Sequence, residues 1–224
     1  MELKKALGFL TALEANNSLE WMQAHRAQYL EAKNEFVLFL YGLIRAISDF
    51  DPAVAPLRAE ELMFRLNRDT RFSKDKRPYN PAFRAHISPA GKQPFPAGYY
   101  VHVSPGASFL GGGVFASQFP EATSRVRDYL VTHAAAFESI LAAESFAANF
   151  TIVGDKLKNV PQGYDKGHPL ADYLKHKAWA VEYPLDDARL LEGDVGFIAQ
   201  KFAQMKPLND FLNAALAGFT MPQR

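Results

Sequence analysis

The feature that most narrows the fold is a long apolar stripe near the start of the chain. Trp21, His25, Tyr29, Ala32, Phe36, Leu40, Leu43, Ile47 and Phe50 recur every three or four positions, which is one face of a helix of about eight turns. Such a helix has to be covered along its whole apolar face, so it is read as the structural spine. Asp51-Pro52 ends it and Pro56 keeps the following connection extended. Upstream, Leu3, Leu7, Leu10 and Leu13 place a shorter amphipathic helix over residues 3 to 14, and Asn17 with Glu20 has capping-box spacing for the long one. His25 lies on the stripe with no second ligand at metal-binding spacing, and reads as a hydrogen-bonded core or boundary histidine.

After residue 60 the period changes from 3.6 to two. Leu62, Phe64 and Leu66 alternate with Met63, Arg65 and Asn67; Phe83, Ala85 and Ile87 with Arg84 and His86; Tyr99, Val101 and Val103 with Tyr100 and His102. The Gly/Pro turn at residues 89 to 94 makes the last two segments an antiparallel hairpin. Residues 107 to 115 form a further strand, in which Gly111-Gly112-Gly113 marks a bulge or a close backbone approach. Helical spacing returns at Pro120 and runs to Leu141, with a short turn from Phe146 to Phe150. Residues 154 to 169 are irregular. Pro169 to Lys177 is a helix, Ala178 to Tyr183 a strand closed by Pro184, and two helices follow, Val195 to Met205 and Leu208 to Leu216, with Pro207 starting the second. Helices, then antiparallel strands, then helices again predict an α+β fold: a sheet of four to five strands packed against the long N-terminal helix and the C-terminal helices. With 224 residues, 48% of them hydrophobic, the chain is expected to be a single globular domain over residues 1–224.

Several chemistries are excluded. No cysteine is present, which removes disulfides, thiolate metal sites and a cysteine nucleophile and agrees with a reducing, cytoplasmic setting. The longest apolar run, Phe36 to Ile44, is far short of the ~18 residues of a membrane span, so no membrane partner is expected. There is no dinucleotide-binding glycine fingerprint, no phosphate-binding Gly-Lys-Ser/Thr and no Gly-x-Ser-x-Gly elbow. Asp165 and His168, three apart in the irregular loop, have no second histidine at ligand spacing and read as a turn residue and a helix cap. No metal site is expected and no cofactor is named.

Charge is concentrated instead. Residues 65 to 84 hold seven basic side chains and two acidic ones, +5 in a chain whose total is +1. If the three alternating segments are neighbouring strands, Arg65, Asn67, Arg84, His86, Tyr100 and His102 share one face of the sheet, with the apolar sets on the other. Arginine presents a planar fork to carboxylate or phosphate, and histidine exchanges a proton near neutral pH. The loop after the first segment adds Arg68, Asp69, Arg71, Ser73, Lys74 and Tyr79 to the rim. The pattern predicts an anion-binding concavity with His86 or His102 as acid or base. Arg68, Asp69 and Arg71 equally fit a network that pins the loop.

The stretch from Phe64 to Tyr79, Phe-Arg-Leu-Asn-Arg-Asp-Thr-Arg-Phe-Ser-Lys-Asp-Lys-Arg-Pro-Tyr, closely resembles the central motif of a conserved hypothetical family built on a domain of unknown function, number 2461. Asn16-Asn17 with Glu20-Trp21, Gly98-Tyr99-Tyr100-Val101-His102, Ser104-Pro105-Gly106, Gly163-Tyr164-Asp165 and His168-Pro169 extend the likeness along most of the chain. Phe115-Ala116 departs from it, standing where a Trp and a Pro are expected. The resemblance implies a single-domain, cytoplasmic-type protein and brings no activity, cofactor or catalytic residue with it.

The function expected from the residues is therefore an anion-binding enzyme or ligand-binding protein for a small phosphorylated or carboxylated compound. Two alternatives stand beside it: a nucleic-acid binding module in which Phe72, Tyr79, Tyr99 or Tyr100 stack on bases, and a structural or interaction protein whose Arg/Asp motif only holds a loop. The near-neutral total charge ranks nucleic acid second. Oligomeric state is left open.

Overall fold

The computed structural model describes residues 3–221. Five helical elements come first: α1 (Lys4–Ala15), α2 (Leu19–Ala24), α3 (Arg26–Ser48), a 3-10 turn (Pro52–Val54) and α4 (Ala59–Leu62). Strands β1 (Phe83–Ile87), β2 (Tyr99–Val103) and β3 (Ser108–Val114) follow, then α5 (Pro120–Thr132), α6 (Ala134–Ala142), α7 (Glu144–Ala147) and α8 (Ala171–Leu174), and finally β4 (Trp179–Leu185), α9 (Asp187–Glu192) and α10 (Val195–Ala215). The fold is α+β, with one four-stranded antiparallel sheet in the order β1-β2-β3-β4.

The spine is present but bent. At His25 (φ −107°, ψ 20°) the expected single helix divides into α2 and α3, although His25 N–H still reaches the Trp21 carbonyl at 3.0 Å and Tyr29 N–H the His25 carbonyl at 3.0 Å. The His25 ring stacks on Trp21 at 4.1 Å and its Nδ1 lies 2.8 Å from the Trp21 carbonyl oxygen, the boundary role its place on the stripe predicts. Ser18, not Asn17, caps α2, its Oγ accepting from Trp21 N–H at 3.1 Å. Asn17 is engaged 62 residues away: its amide donates to the Tyr79 carbonyl (2.9 Å) and accepts from Tyr79 N–H (3.0 Å).

One face of the sheet is core. Phe83, Ala85, Ile87, Tyr99, Val101 and Val103 are buried against α3 and α10, with Phe83 packed on Phe36 at 5.4 Å and Tyr99 on Phe202 at 5.2 Å between ring centroids. Tyr99 also donates to Asp51 at 2.8 Å. The C-terminal helix is one element, not two: Pro207 lies inside α10. A proline there removes one backbone hydrogen bond, but Met205, Leu208, Phe211 and Leu212 on either side are all buried, and that packing carries the helix through. From the same face Asn209, 3% exposed, accepts from Gly113 N–H (2.7 Å) and donates to the Gly98 carbonyl (3.0 Å). One turn on, Asn213 accepts from Ala97 N–H (2.7 Å) and donates to the Ala97 carbonyl (3.2 Å).

The expected strand over residues 61 to 68 is the main correction. Its first two residues close α4, and the rest runs extended along β1 with isolated bridges only, Met63 to Ala85 and Asn67 to Tyr79. Leu62 and Leu66 are buried and Arg65 and Asn67 exposed, as alternation has them, but leaving the helix puts Met63 in the core and Phe64 on the opposite side, the reverse of the pattern at those two positions. Phe64 N–H donates to the Arg84 carbonyl (2.8 Å), Asn80 N–H to that of Leu66 (2.8 Å) and Arg68 N–H to that of Pro78 (2.8 Å), which makes 66–80 a hairpin paired with itself and joined to the outer edge of β1 at its base. At the other edge β4 runs through Pro184 instead of stopping before it, as an edge strand permits. Val153 N–H donates to the Ala180 carbonyl there at 2.7 Å. Pro169 to Lys177, expected as a helix, contains only the single turn of α8, while α9 was not foreseen. Among the described residues no helix is long and apolar enough to cross a membrane.

Candidate functional site

Strand alternation carries four of the singled-out side chains to the face away from the core. Arg84 lies opposite His102 and His86 opposite Tyr100, and all four are half-buried. The register extends both pairs across the sheet: Tyr100 faces Gly111, which faces Glu182, while His102 faces Phe109, which faces Pro184. The first row, His86-Tyr100-Gly111-Glu182, has a gap at its third member because glycine has no side chain. A cavity of about 440 Å³ occupies that gap. Gly111 and Gly113 floor it, and Phe64, Tyr100 and Phe109 wall it, with ring centroids 6.3 Å apart for the first two and 5.8 Å for the last two. A Cβ on Gly98 would overlap the Ile87 carbonyl oxygen and approach His86 Nε2 to 3.0 Å, so only glycine lets the β1–β2 connection close beside the imidazole.

Burial favours the neutral forms of His86, His102 and Tyr100. Burial lowers the pKa of His86, with hydrogen bonding to the backbone at Gln93 and Gly91 opposing it. Burial and then the Arg84 charge lower that of His102, and burial raises that of Tyr100. His86 and Tyr100 line the cavity. His102 does not: it stacks on Phe109 at 4.6 Å with its Nδ1 buried and unpartnered. Arg84 lies behind the wall, its guanidinium over the Phe64 ring at 5.6 Å and its Nη2 donating to the Arg65 carbonyl at 3.3 Å; its Nε is buried without a partner.

The remaining predicted residues are elsewhere. Arg65 and Asn67 are exposed, a correction to their placement on the sheet face: the segment that carries them leaves the sheet after the Met63 bridge and pairs with residues 78–80 instead. The tip of the hairpin is cross-tied. Arg68 Nη1 meets Asp75 at 2.7 Å and Arg77 meets the same carboxylate at 2.8 Å; Arg68 Nη2 reaches Ser73 Oγ at 3.4 Å; Arg71 pairs with Asp69 at 2.6 Å. The Arg77 and Arg68 hydrogen bonds hold the Asp75 carboxyl well below the usual range, and the Arg71 hydrogen bonds lower that of Asp69. Lys74 is exposed and enters no ion pair among the described residues. Tyr79 is core, its backbone clamped by Asn17. In the irregular loop Asp165 accepts from Gly167 N–H (2.9 Å), the turn its spacing predicts, and His168 Nδ1 accepts from Leu170 N–H (3.0 Å); Leu170 is itself the N-cap of α8, which takes no side-chain cap hydrogen bond, so the cap expected here is not made. None of residues 154–169 lines the cavity. Among the described residues no group of three or more His, Asp or Glu is placed to hold a metal ion.

Sequence reasoning missed Phe64, Lys92, Phe109, Gly111 and Glu182, all of which line the cavity. The signal for Phe109, Gly111 and Glu182 was the alternation itself, continued in phase from Tyr100 onto β3 and β4. Lys92 sits in a turn, where no periodicity speaks.

Residues 5–211 match the model of the conserved hypothetical protein family DUF2461, and the chain belongs to that family. Comparisons with curated proteins and with solved structures found no match.

Proposed function

We propose that the protein is a ligand-binding protein or enzyme for a small carboxylated or phosphorylated compound with a flat apolar body, held in the sheet cavity. The observation that carries this is the cavity itself: about 440 Å³ with a glycine floor, aromatic walls and His86, Tyr100, Lys92 and Glu182 converging on it. Apolar walls with a few placed polar groups are the usual make-up of a small-molecule site. Lys92 is the cation available to an anionic group there. His86, kept neutral by burial, is the group able to accept a proton from a bound compound. A cytoplasmic location goes with this reading, and fractionation of the tagged protein tests it.

The binding experiment is a thermal-shift screen of wild type and Gly111→Val against benzoate, indole-3-acetate, phenyl phosphate and inorganic phosphate. A Cβ at Gly111 would stand 3.4 Å from Tyr100 Cβ, so valine fills the cavity floor and leaves the core face untouched. A ligand at one hundred times its Kd adds about 2.7 kcal/mol, or roughly 5–10 °C in a chain of this size. A shift in wild type that disappears in Gly111→Val supports the site; equal shifts in both refute it.

A second reading, binding of single-stranded nucleic acid at the hairpin tip, is favoured by one observation. Phe72 is 95% exposed, between Arg71 and Lys74 in the chain and with the Arg71 guanidinium 5.8 Å from its ring centroid, as a stacking platform among phosphate contacts would be. Tyr79 and Tyr99 are buried and offer bases no face. Affinity for an oligonucleotide that falls steeply with salt and is lost in Phe72→Ala supports this reading; a shallow salt dependence counts against it.

A further inference from the structure

The cavity has two charged side chains in its lining, Lys92 and Glu182. Neither takes part in an ion pair among the described residues. They enter from opposite ends. Lys92 belongs to the connection between β1 and β2, on the His86 side, whereas Glu182 is on β4, at the far end of the row that begins with His86. Three strand spacings, about 14 Å, separate those two strands. What lies between in the lining is the glycine floor and the rings of Tyr100 and Phe109; the Arg84 charge acts on Tyr100 from behind that lining. The Glu182 carboxylate is close enough to the Tyr100 phenol to add to its raised pKa, after burial, which is the larger cause.

A ligand that fills this space displaces water from both charges. Both residues are exposed, so a neutral body would strip part of the water from each and leave it unpaired, and a simple anion would satisfy Lys92 while covering Glu182 with its own apolar ring, which is unfavourable. An occupant with opposite charges at its two ends answers both. Resting on the cavity reading above, we infer that the ligand is a zwitterion with one aromatic ring between its charged groups: the carboxylate or phosphate lies toward Lys92 and His86, and a protonated amine toward Glu182. His86, uncharged there, donates or accepts a hydrogen bond at the anionic end without competing for the charge.

Three matched probes test the polarity: 4-(aminomethyl)benzoate, which carries both charges, 4-methylbenzoate, which carries only the anion, and 4-methylbenzylamine, which carries only the cation. Calorimetric titration of wild type should give the zwitterion at least tenfold tighter binding than either relative. Glu182→Gln should reduce zwitterion affinity about tenfold and tighten 4-methylbenzoate, whose ring no longer covers an unpaired charge; Lys92→Gln should weaken the zwitterion and tighten 4-methylbenzylamine for the same reason. If 4-methylbenzoate binds as tightly as the zwitterion and Gly111→Val abolishes both, the polarity is wrong and the cavity stands. If none of the three binds and the aromatic acids and phosphates of the wider screen also give no shift, the cavity reading itself falls.

Discussion

Asn209→Ala should be the most informative single change in the α10 face that supports the cavity. Asn209 is 3% exposed and its amide serves two backbone groups of the cavity lining, the Gly113 N–H at 2.7 Å and the Gly98 carbonyl at 3.0 Å. Removing one partner of a buried hydrogen bond costs the desolvation of the group left behind, about 1–3 kcal/mol each. Gly98 is buried and Gly113 half-buried, so the first stands toward the upper end of that range and the second toward the lower. Together they come to about 3 kcal/mol, which in a chain of this size lowers the thermal midpoint by roughly 6–12 °C. Asn213→Ala, one turn further on, is the comparison: Ala97 is buried but Asn213 is half-buried, so water can follow the shortened side chain to the Ala97 groups, and the loss should be smaller, about 1–2 kcal/mol. Urea denaturation followed by circular dichroism measures both, with an unchanged slope as the check that only stability has moved. An Asn209→Ala midpoint equal to that of Asn213→Ala, or within about 0.5 kcal/mol of wild type, would refute the claim that this amide holds the floor in place.

Gly113→Ala should be far more damaging than Gly111→Ala, though each adds one methyl group to the same strand. Gly113 has φ +88° and a Cβ there would overlap the Trp179 carbonyl oxygen, whereas at Gly111 the nearest atom is 3.4 Å away; denaturation midpoints that move alike would contradict this. Stability should fall as pH drops from 7 to 5. Burial lowers the pKa values of His86, His102 and His176 from 6.5, so the unfolded chain takes up protons first and the loss begins as pH passes below about 6.5. Asp69 and Asp75, whose pKa values are lowered by arginine hydrogen bonds, add their loss only as pH falls below the ordinary carboxylate value. His102→Phe, in place on the Phe109 stack, should flatten part of the slope between pH 7 and 5, and a flat wild-type profile in that window would be the contrary result. Lys201→Met should leave stability within about 1 kcal/mol of wild type or raise it, since the Lys201 ammonium is held only by Asn149 Oδ1 and the Tyr183 and Phe197 rings, at 2.6, 4.5 and 5.2 Å. A large loss would mean that the charge itself is needed.

The sheet face was legible where side chains alternate without interruption. Arg84, His86, Tyr100 and His102 keep period two through β1 and β2, and the backbone obeys it because both faces of each strand are decided by burial. Residues 61 to 68 alternate equally well on paper, yet Leu62 ends a helix, and the chain leaves the sheet after the Met63 bridge. Periodicity has no term for that transition. The cavity was hidden for a different reason: it is made by missing side chains. Gly111 and Gly113 contribute nothing to a hydrophobic pattern, so the run reads as a bulge until the register sets it beside Tyr100 and Glu182. Asn209 and Asn213, four apart among buried Met205, Leu208 and Leu212, were a visible polar pair on an apolar face and mark where a helix hydrogen-bonds to strands. Pro207 argued for a helix boundary, and packing on both sides outweighed it. The Arg/Asp motif was legible as chemistry but not as geometry. Its two carboxylates are taken up by Arg71, Arg68 and Arg77 within the tip, and only the fold could say how far that tip stands from His86.

Both edges of the sheet are partly covered, β1 by Met63 and Phe64 at the base of the hairpin and β4 by Val153 at one end and by Pro184, which has no N–H to offer, at the other. Open edges recruit strands from neighbouring molecules and are the common route from a native sheet to aggregates. The segment at the base of the hairpin therefore guards that edge, while the tip carries the basic residues. Displacing Met63 and Phe64 from β1 would bare its outer hydrogen-bonding groups and show as self-association of folded molecules at high concentration, whereas trimming the tip around the exposed Phe72 would leave that pairing in place.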